Sequence, residues 1–210
     1  MDDPAETISA EDQARMVRAA EYAHRWHATQ TRNKTQIPYV SHLIQVAGLV
    51  LEHGGDPDQA IAGFLHDALE DAPDPDEGAR RREQIADVFG PGVLEIVEDC
   101  TDTEADESRE KKRPWRERKQ RYLAHLATVS DRSRLVAACD KRHNLHAIVW
   151  DVKTHGDSVF GRFKSSSPED QVWYFNGILE TVRDSIPPRL GNELADLLED
   201  LRGIVAARRT

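Results

Sequence analysis

The chain has 210 residues, which is enough for one domain with a sizeable core and marginal for two. Hydrophobic residues make up 39% and charged residues 31%, as in soluble globular proteins, and no apolar run approaches the roughly 20 residues of a membrane-spanning helix. The formal net charge of -10 argues against a protein that binds nucleic acid by broad neutralisation of phosphates.

The cysteines and the N-terminal sequence bear on the compartment. Cys100 and Cys139 lie in apolar stretches and are too few for a framework of disulfides. The first residues are acidic and lack the basic-then-apolar pattern of a secretory signal. We therefore expect reduced cysteines, a cytoplasmic location and no membrane partner, and we leave the oligomeric state open.

Hydrophobic periodicity favours helix along nearly the whole chain, and no segment shows the sustained alternation of a half-buried strand. Capping residues, glycines and prolines mark the helix boundaries. The predicted helices span about 10–29, 41–53, 57–72, 79–89, 92–101, 114–129, 131–150, 168–186 and 188–207. Residues 102–113 and 151–167 are predicted to be loops, the second with room for one short helical turn. The sequence thus predicts an all-α, single-domain helical bundle over residues 1–210, with a packing helix at its C-terminal end.

The sequence HDALED at residues 66–71 is the first candidate site. On a helix His66 and Glu70 are four residues apart, as are Asp67 and Asp71, so all four side chains lie on one broad side. The six residues before them are almost wholly apolar, and ionisable groups that follow a buried helix are unfavourable unless they are paired or bind a metal. Imidazole and carboxylate together form a normal ligand set for a divalent ion.

Two further candidate ligands lie elsewhere in the chain. His42 lies one turn into a predicted helix, and Asp140 interrupts an apolar helix with Asn144 four residues later. Two imidazoles and two carboxylates leave coordination positions open for water and a substrate oxygen, as a catalytic site requires. A structural hydrogen-bonded pair of Asp140 and Asn144 is the alternative for that helix, and a solvated helix end is the alternative for HDALED.

Four motifs occur in chain order: TRNKTQIPYVSHL, FLHDALED, VFGPGVLEIVEDCTD and CDKRHNL. This order resembles the HD superfamily of metal-dependent phosphohydrolases, and within it the hydrolase domain of the RelA/SpoT enzymes and the stand-alone small alarmone hydrolases. The resemblance covers about residues 14–185 and implies an HD-type helical bundle.

The resemblance also implies roles for individual residues. The ligands of a divalent metal, usually manganese, would be His42, His66, Asp67 and Asp140. The pair that positions or activates the attacking water would be Glu70 and Asp71. The substrate contacts would be Arg32, Lys34, Tyr39, Asn144 and Tyr174.

The function implied is removal of the 3′-diphosphate from (p)ppGpp, with a phosphorylated purine nucleotide as substrate. One alternative is a phosphohydrolase that acts on a nucleoside monophosphate or on the 2′-phosphate of NADPH. A second alternative is a catalytically idle nucleotide sensor, against which the intact pair Glu70 and Asp71 argues. The basic run 109–121 carries eight Lys/Arg against two Glu, and a solvated helix face and a substrate role for Arg116 or Lys119 both remain open.

Overall fold

The computed structural model describes residues 8–32, 35–102, 113–163 and 167–208. Within these ranges lie nine α-helices and one 3₁₀ helix, and the only β-type pairing there is an isolated bridge between Thr31 and Pro38. The predicted all-α fold is confirmed. None of the described helices is long and apolar enough to cross a lipid bilayer.

The helix boundaries follow the capping signals in the sequence. The helices are α1 Ala10–Trp26, α2 Val40–Glu52, α3 Pro57–Leu65, α4 Pro75–Phe89, α5 Pro91–Cys100, α6 Trp115–Leu126, α7 Asp131–His155, α8 Pro168–Val182 and α9 Pro188–Ala207. Before five of them a Ser or Asp side chain accepts a hydrogen bond from the backbone N–H three residues later, which stabilises the first turn. These N-cap residues are Ser9, Asp56, Asp74, Ser130 and Ser167.

The third helix is shorter than predicted. It ends at Leu65 rather than near residue 72, and residues 66–71 form successive turns. The cause is visible at Gly63, whose carbonyl oxygen lies 2.8 Å from Nδ1 of His66, so the ring occupies the acceptor that the next helical turn needs. The N–H of Ala68 bonds instead to the carbonyl of Leu65, only three residues back. The HDALED residues therefore lie on turns and not on a regular helix, which corrects the prediction.

Residues 151–162 do not form the predicted loop. Helix α7 continues to His155, and after Gly156, which has φ +66, a 3₁₀ helix spans Gly156–Arg162. Val152, Val159 and Phe160 are all buried there, so apolar burial orders a segment whose glycines and serines predicted a loop. Helix α4 begins four residues earlier than predicted, because Asp74 caps it and Pro75 occupies its first turn.

The helices that carry the candidate ligands pack directly on one another. Helix α3 packs against α1, α2, α5 and α7, and α7 also packs against α2, α5, α8, α9 and the 3₁₀ helix. Helices α2 and α3 cross so closely that a Cβ at Gly63 would lie 3.0 Å from Cα of Ala47. This close crossing brings the rings of His42 and His66 to a centroid separation of 5.1 Å.

Candidate active site

Three of the predicted ligands form a compact cluster. One ligand atom each of His42, His66 and Asp67 lies within 4.8 Å of the other two. Nε2 of His66 is 3.0 Å and Nε2 of His42 is 3.5 Å from Oδ2 of Asp67. Helix α2 supplies His42, and the turn that follows α3 supplies the other two residues.

Asp140 of α7 completes the cluster. Its Oδ1 lies 3.2 Å from Nε2 of His42 and 3.6 Å from Nε2 of His66. The same oxygen accepts a hydrogen bond from Nδ2 of Asn144, and Oδ2 accepts one from Nζ of Lys141. The structure therefore brings all four predicted ligands together, and the pairing of Asp140 with Asn144 exists within that cluster.

The charged groups of the cluster shift one another's pKa values. Burial alone would lower the pKa of His66, but the charges of Asp67 and Asp140 outweigh it and raise that pKa well above its ordinary value. Burial alone would raise the pKa of Asp67 and of Asp140, and the adjacent cations, His66 for Asp67 and Lys141 for Asp140, hold both well below their ordinary values.

The donor set fits a divalent ion. Nε2 of His66 is buried and lies 3.0 Å from Oδ2 of Asp67, but it makes no well-aligned hydrogen bond to any described residue, which is unfavourable for a polar atom unless something else binds it. Its Nδ1 faces the carbonyl of Gly63, which fixes the other nitrogen toward the cluster. Two imidazoles and two carboxylates suit several first-row divalent metals.

His143 contacts the cluster although the sequence marks it only as a core or surface residue. Its Nδ1 lies 2.8 Å from Nδ1 of His42, and it is buried. Burial, followed by the charges of His42 and Arg32, lowers the pKa of His143 to about 3, so its ring is neutral near neutral pH. One signal was present in the sequence, since His143 directly precedes Asn144 within CDKRHNL, but spacing alone does not show which ring it meets.

The two predicted water-activating carboxylates diverge. Glu70 lines the cavity beside the cluster, together with Asp67 and Asp140. Asp71 does not line it, because its Oδ2 accepts a hydrogen bond of 2.6 Å from Nε2 of Gln30 and lies 3.9 Å from Nδ1 of His27. The expectation that Glu70 and Asp71 face the same side assumed a regular helix, and residues 66–71 form turns instead.

A cavity of about 320 Å³ opens from the cluster, a size in the range of small-molecule sites. Four of the five predicted substrate contacts line it: Arg32, Tyr39, Asn144 and Tyr174. The fifth, Lys34, lies outside the described residues. Nη2 of Arg32 donates to Oδ1 of Asn144 at 2.9 Å, and its Nη1 is buried without a partner among the described residues. The hydroxyl of Tyr39 donates to Oδ2 of Asp67 at 2.6 Å.

Two lysines add positive charge to the cavity wall. Lys141 pairs with Asp140, and Lys119 pairs with the buried Asp102. Burial alone would lower the pKa of Lys119, but Tyr174 and Asp102 raise it above its ordinary value, so the lysine stays charged. In the basic run, then, Lys119 reaches the cavity, whereas Arg116 lies outside it and pairs with Asp170.

Sequence comparisons agree with the geometry. The model of the HD domain family matches residues 19–165. The chain is 34% identical over 137 residues to the guanosine-3′,5′-bis(diphosphate) 3′-pyrophosphohydrolase MESH1 of Xenopus tropicalis, covering 64% of this chain and 69% of that protein. It is 30% identical over 145 residues to the bifunctional (p)ppGpp synthase/hydrolase SpoT of Escherichia coli, covering 68% of this chain and 19% of SpoT. The match therefore spans about a fifth of SpoT.

Solved structures share the fold. A metazoan ortholog of SpoT that hydrolyzes ppGpp matches with a TM-score of 0.69 and 25% identity, over 95% of this chain and 99% of that one. The crystal structure of lmo0812 from Listeria monocytogenes matches with a TM-score of 0.61 and 26% identity, over 75% of this chain and 96% of that one.

Proposed function

Because the chain belongs to the HD domain family, we propose that it is a metal-dependent phosphohydrolase that removes the 3′-diphosphate from (p)ppGpp. The observation that carries the proposal is the cluster of His42, His66 and Asp67 beside a cavity that Asp67, Glu70 and several cations line. The relatives named for (p)ppGpp hydrolysis in Xenopus and Escherichia coli support this choice of substrate.

The residues proposed to hold the ion are His42, His66, Asp67 and Asp140. The buried Nε2 of His66, which makes no hydrogen bond to a described residue, supports this assignment. When bound, the ion supplies Lewis acidity to water and to a phosphoryl oxygen. Mn²⁺ is the proposed metal, which the mixed nitrogen and oxygen donors accommodate. A cytoplasmic location is proposed as well, supported by the free, buried Cys100 and Cys139.

Glu70 is the proposed general base. It lines the cavity next to Asp67, so it is within reach of a water molecule that attacks a phosphorus atom there. Asp71 is assigned a positioning role, because its bond to Gln30 anchors the turn that carries Glu70. Tyr39 orients Asp67 in the same way, through its hydroxyl.

The cations of the cavity are proposed to bind the 3′-diphosphate and to offset its negative charge while water attacks the phosphorus next to the ribose and the bond from that phosphorus to the ribose 3′ oxygen breaks. Nη1 of Arg32, which has no partner among the described residues, is one such donor. Lys119 and Lys141 supply two further charges, and Tyr174 lies beside Lys119, whose Nζ is 4.9 Å from the centre of its ring. Asn144 accepts a hydrogen bond from Arg32 and donates one to Asp140, and this bridge fixes the position of the guanidinium.

The experiment that tests this function compares three substrates under controlled metal loading. Purified protein is stripped with a chelator, reloaded with Mn²⁺, Mg²⁺ or Zn²⁺, and given ppGpp, NADPH or GMP. We expect GDP and pyrophosphate from ppGpp, loss of activity on stripping, and recovery on reloading. Phosphate release from NADPH or GMP with ppGpp untouched overturns the alarmone assignment, and no hydrolysis of any substrate with any metal overturns the enzyme assignment.

One variant and one control test whether Glu70 is the general base. Glu70→Gln should lower kcat by about 10²- to 10⁴-fold, the usual contribution of a general base, without abolishing nucleotide binding. Asp76→Asn is the matched control, because Asp76 is an exposed carboxylate of the same acidic segment and does not line the cavity. Equal activity of Glu70→Gln and the control removes Glu70 from the proposed role.

A further inference from the structure

Helix α7 forms one wall along the length of the cavity. Asp140, Asn144, Ala147, Ile148 and Asp151 all line it, at spacings that keep them on one face of the helix. Asp151 is the eleventh residue after Asp140, which corresponds to about 16 Å along the helix axis. The cavity therefore extends from the ligand cluster to a second end three turns away, a distance that suits a nucleoside and not an isolated phosphate.

The second end is built by the segment that the sequence predicted as a loop. The 3₁₀ helix places Val159 and Arg162 on the cavity wall, and Phe163 follows directly after it. Val159 is 1% exposed and Ile148 of α7 is 7% exposed, and both line the cavity, as does Phe163. An apolar wall of this kind contacts the face of a planar ring better than a charged group.

One ion pair is the polar feature of this end. Nη1 of Arg162 lies 2.5 Å from Oδ2 of Asp151, and the side chains are 22% and 40% exposed. This hydrogen bond uses one oxygen of Asp151 and one nitrogen of Arg162, and both residues line the cavity. The second carboxylate oxygen and the remaining guanidinium N–H groups can therefore bind a ligand beside the apolar wall.

The charge of this pair excludes a phosphate and favours a base. Asp151 neutralises Arg162, so this end lacks the excess positive charge that a diphosphate requires, and the carboxylate repels an anion. A purine edge that carries N–H donors next to a carbonyl matches the pair instead. Guanine has this pattern at N1, N2 and O6, whereas adenine presents a ring acceptor to the carboxylate.

We propose that Asp151 and Arg162 are specificity-determining residues that recognise the guanine base of the substrate. Oδ1 of Asp151 accepts from N1–H and the 2-amino group, and Arg162 donates to O6. The base lies between Ile148 and Phe163, while the phosphorylated 3′ position faces the ligand cluster. This inference rests on the proposed function, because it identifies the purine that the same cavity holds.

The test uses GDP and xanthosine 5′-diphosphate, which need not be hydrolysed to report binding. Xanthine has a carbonyl where guanine has the 2-amino group, so Asp151 repels it and an amide can donate to it. Isothermal titration should give wild-type protein a Kd for GDP at least about ten-fold below that for the xanthine nucleotide. Asp151→Asn should remove or reverse this preference, and Arg162→Gln should weaken both nucleotides about equally, since both retain O6.

A matched control is the ion pair between Lys153 of α7 and Asp200 of α9, which lies outside the cavity. Asp200→Asn removes a carboxylate of similar exposure and should leave the ratio of the two Kd values unchanged. A ratio unaffected by Asp151→Asn, or no binding of GDP to wild-type protein, overturns the inference. If ppGpp is not hydrolysed but the ratio still depends on Asp151, the proposed function fails while base recognition stands. If ppGpp is hydrolysed and Asp151→Asn does not change the ratio of the two Kd values, the proposed function stands and the recognition of guanine by Asp151 fails.

Discussion

His42 and His143 face each other through their Nδ1 atoms at 2.8 Å, a distance at which one nitrogen donates and the other accepts. Because His143 is buried and its pKa is lowered to about 3, its ring is neutral and can accept a hydrogen bond at one of its nitrogens. Donation from Nδ1 of His42 to Nδ1 of His143 would leave Nε2 of His42 with a free lone pair toward the cluster. Such a partner orients a metal-binding histidine and selects its tautomer.

Replacing His143 should therefore weaken metal binding. His143→Phe removes the acceptor and should raise the Kd for Mn²⁺ by about 10- to 100-fold, whereas His143→Gln keeps a side-chain oxygen and should lose less. Electron paramagnetic resonance of free Mn²⁺ during a titration measures both values. His146→Phe, on the same helix but away from His42, is the control. Equal affinities for His143→Phe and wild type remove His143 from this role.

Gly63 sets the distance between α2 and α3, and through it the geometry of the ligands. In Gly63→Ala the new Cβ would lie 3.0 Å from Cα of Ala47, and backbone cannot move aside as a flexible side chain can. Overpacking of this kind costs about 1–3 kcal/mol of the free energy of unfolding. Urea unfolding should show this loss, together with weaker Mn²⁺ binding because His66 follows three residues later.

Gly48 provides the matched comparison for Gly63. It lies in α2, and a Cβ there would meet nothing within 4 Å. Gly48→Ala should therefore leave the structure intact and stabilise it by up to about 1 kcal/mol through helix propensity. If the two glycine variants unfold at the same urea concentration, close packing of α2 on α3 is not what Gly63 provides.

Asp102 is a buried carboxylate that two cations surround. Its side chain is 3% exposed, and Arg118 and Lys119 both donate to it. Asp102→Ala leaves two largely buried cations without this partner, which should lower the free energy of unfolding by about 3 kcal/mol. Glu98→Ala, which breaks the exposed pair with Arg82, should cost less than about 1 kcal/mol. Similar losses from the two variants in urea unfolding contradict this assignment.

His53 makes stability depend on pH. It is buried, its ring nitrogens have no hydrogen-bond partner among the described residues, and burial lowers its pKa despite Glu193 at 3.7 Å. Because the folded pKa lies below the unfolded value of about 6.5, protons bind the unfolded chain more readily. The contribution of His53 is thus complete above about pH 6.5 and declines as the pH falls, by at most about 1.4 kcal/mol per unit.

The measurement for His53 is urea unfolding at pH 7.5 and pH 5.5. His53→Gln should make the fall in the free energy of unfolding between these pH values smaller than in wild type. His155→Gln replaces an exposed histidine and should leave that fall unchanged. A decline identical in all three proteins assigns the pH dependence to other groups.

Much of the site was predictable because its residues break local patterns. Ionisable groups in apolar helices identified Asp140 and His66, and order along the chain identified His42. The assignment of residues 1–210 to one domain stays a prediction, as do the roles of the individual site residues.

The remaining features depend on tertiary contacts that no local pattern specifies. Helix α3 ends early because the His66 ring takes the carbonyl of Gly63, and helical periodicity does not register such a bond. Lys119 and Arg116 belong to one basic run, and only the packing of α6 on α8 decides which of them reaches the cavity. The 3₁₀ helix forms because Val159 and Phe160 find a surface on α7, which the composition of that segment does not predict.

The most direct test of the central claim is the identity of the products formed from ppGpp. Manganese-loaded protein is incubated with ppGpp beside Asp67→Ala, and products are followed by phosphorus NMR. We expect GDP and pyrophosphate from wild type and neither from the variant, because Asp67 lies within the ligand cluster. Release of inorganic phosphate from the 5′ end, or equal turnover by Asp67→Ala, would contradict a 3′-diphosphatase that acts at this site.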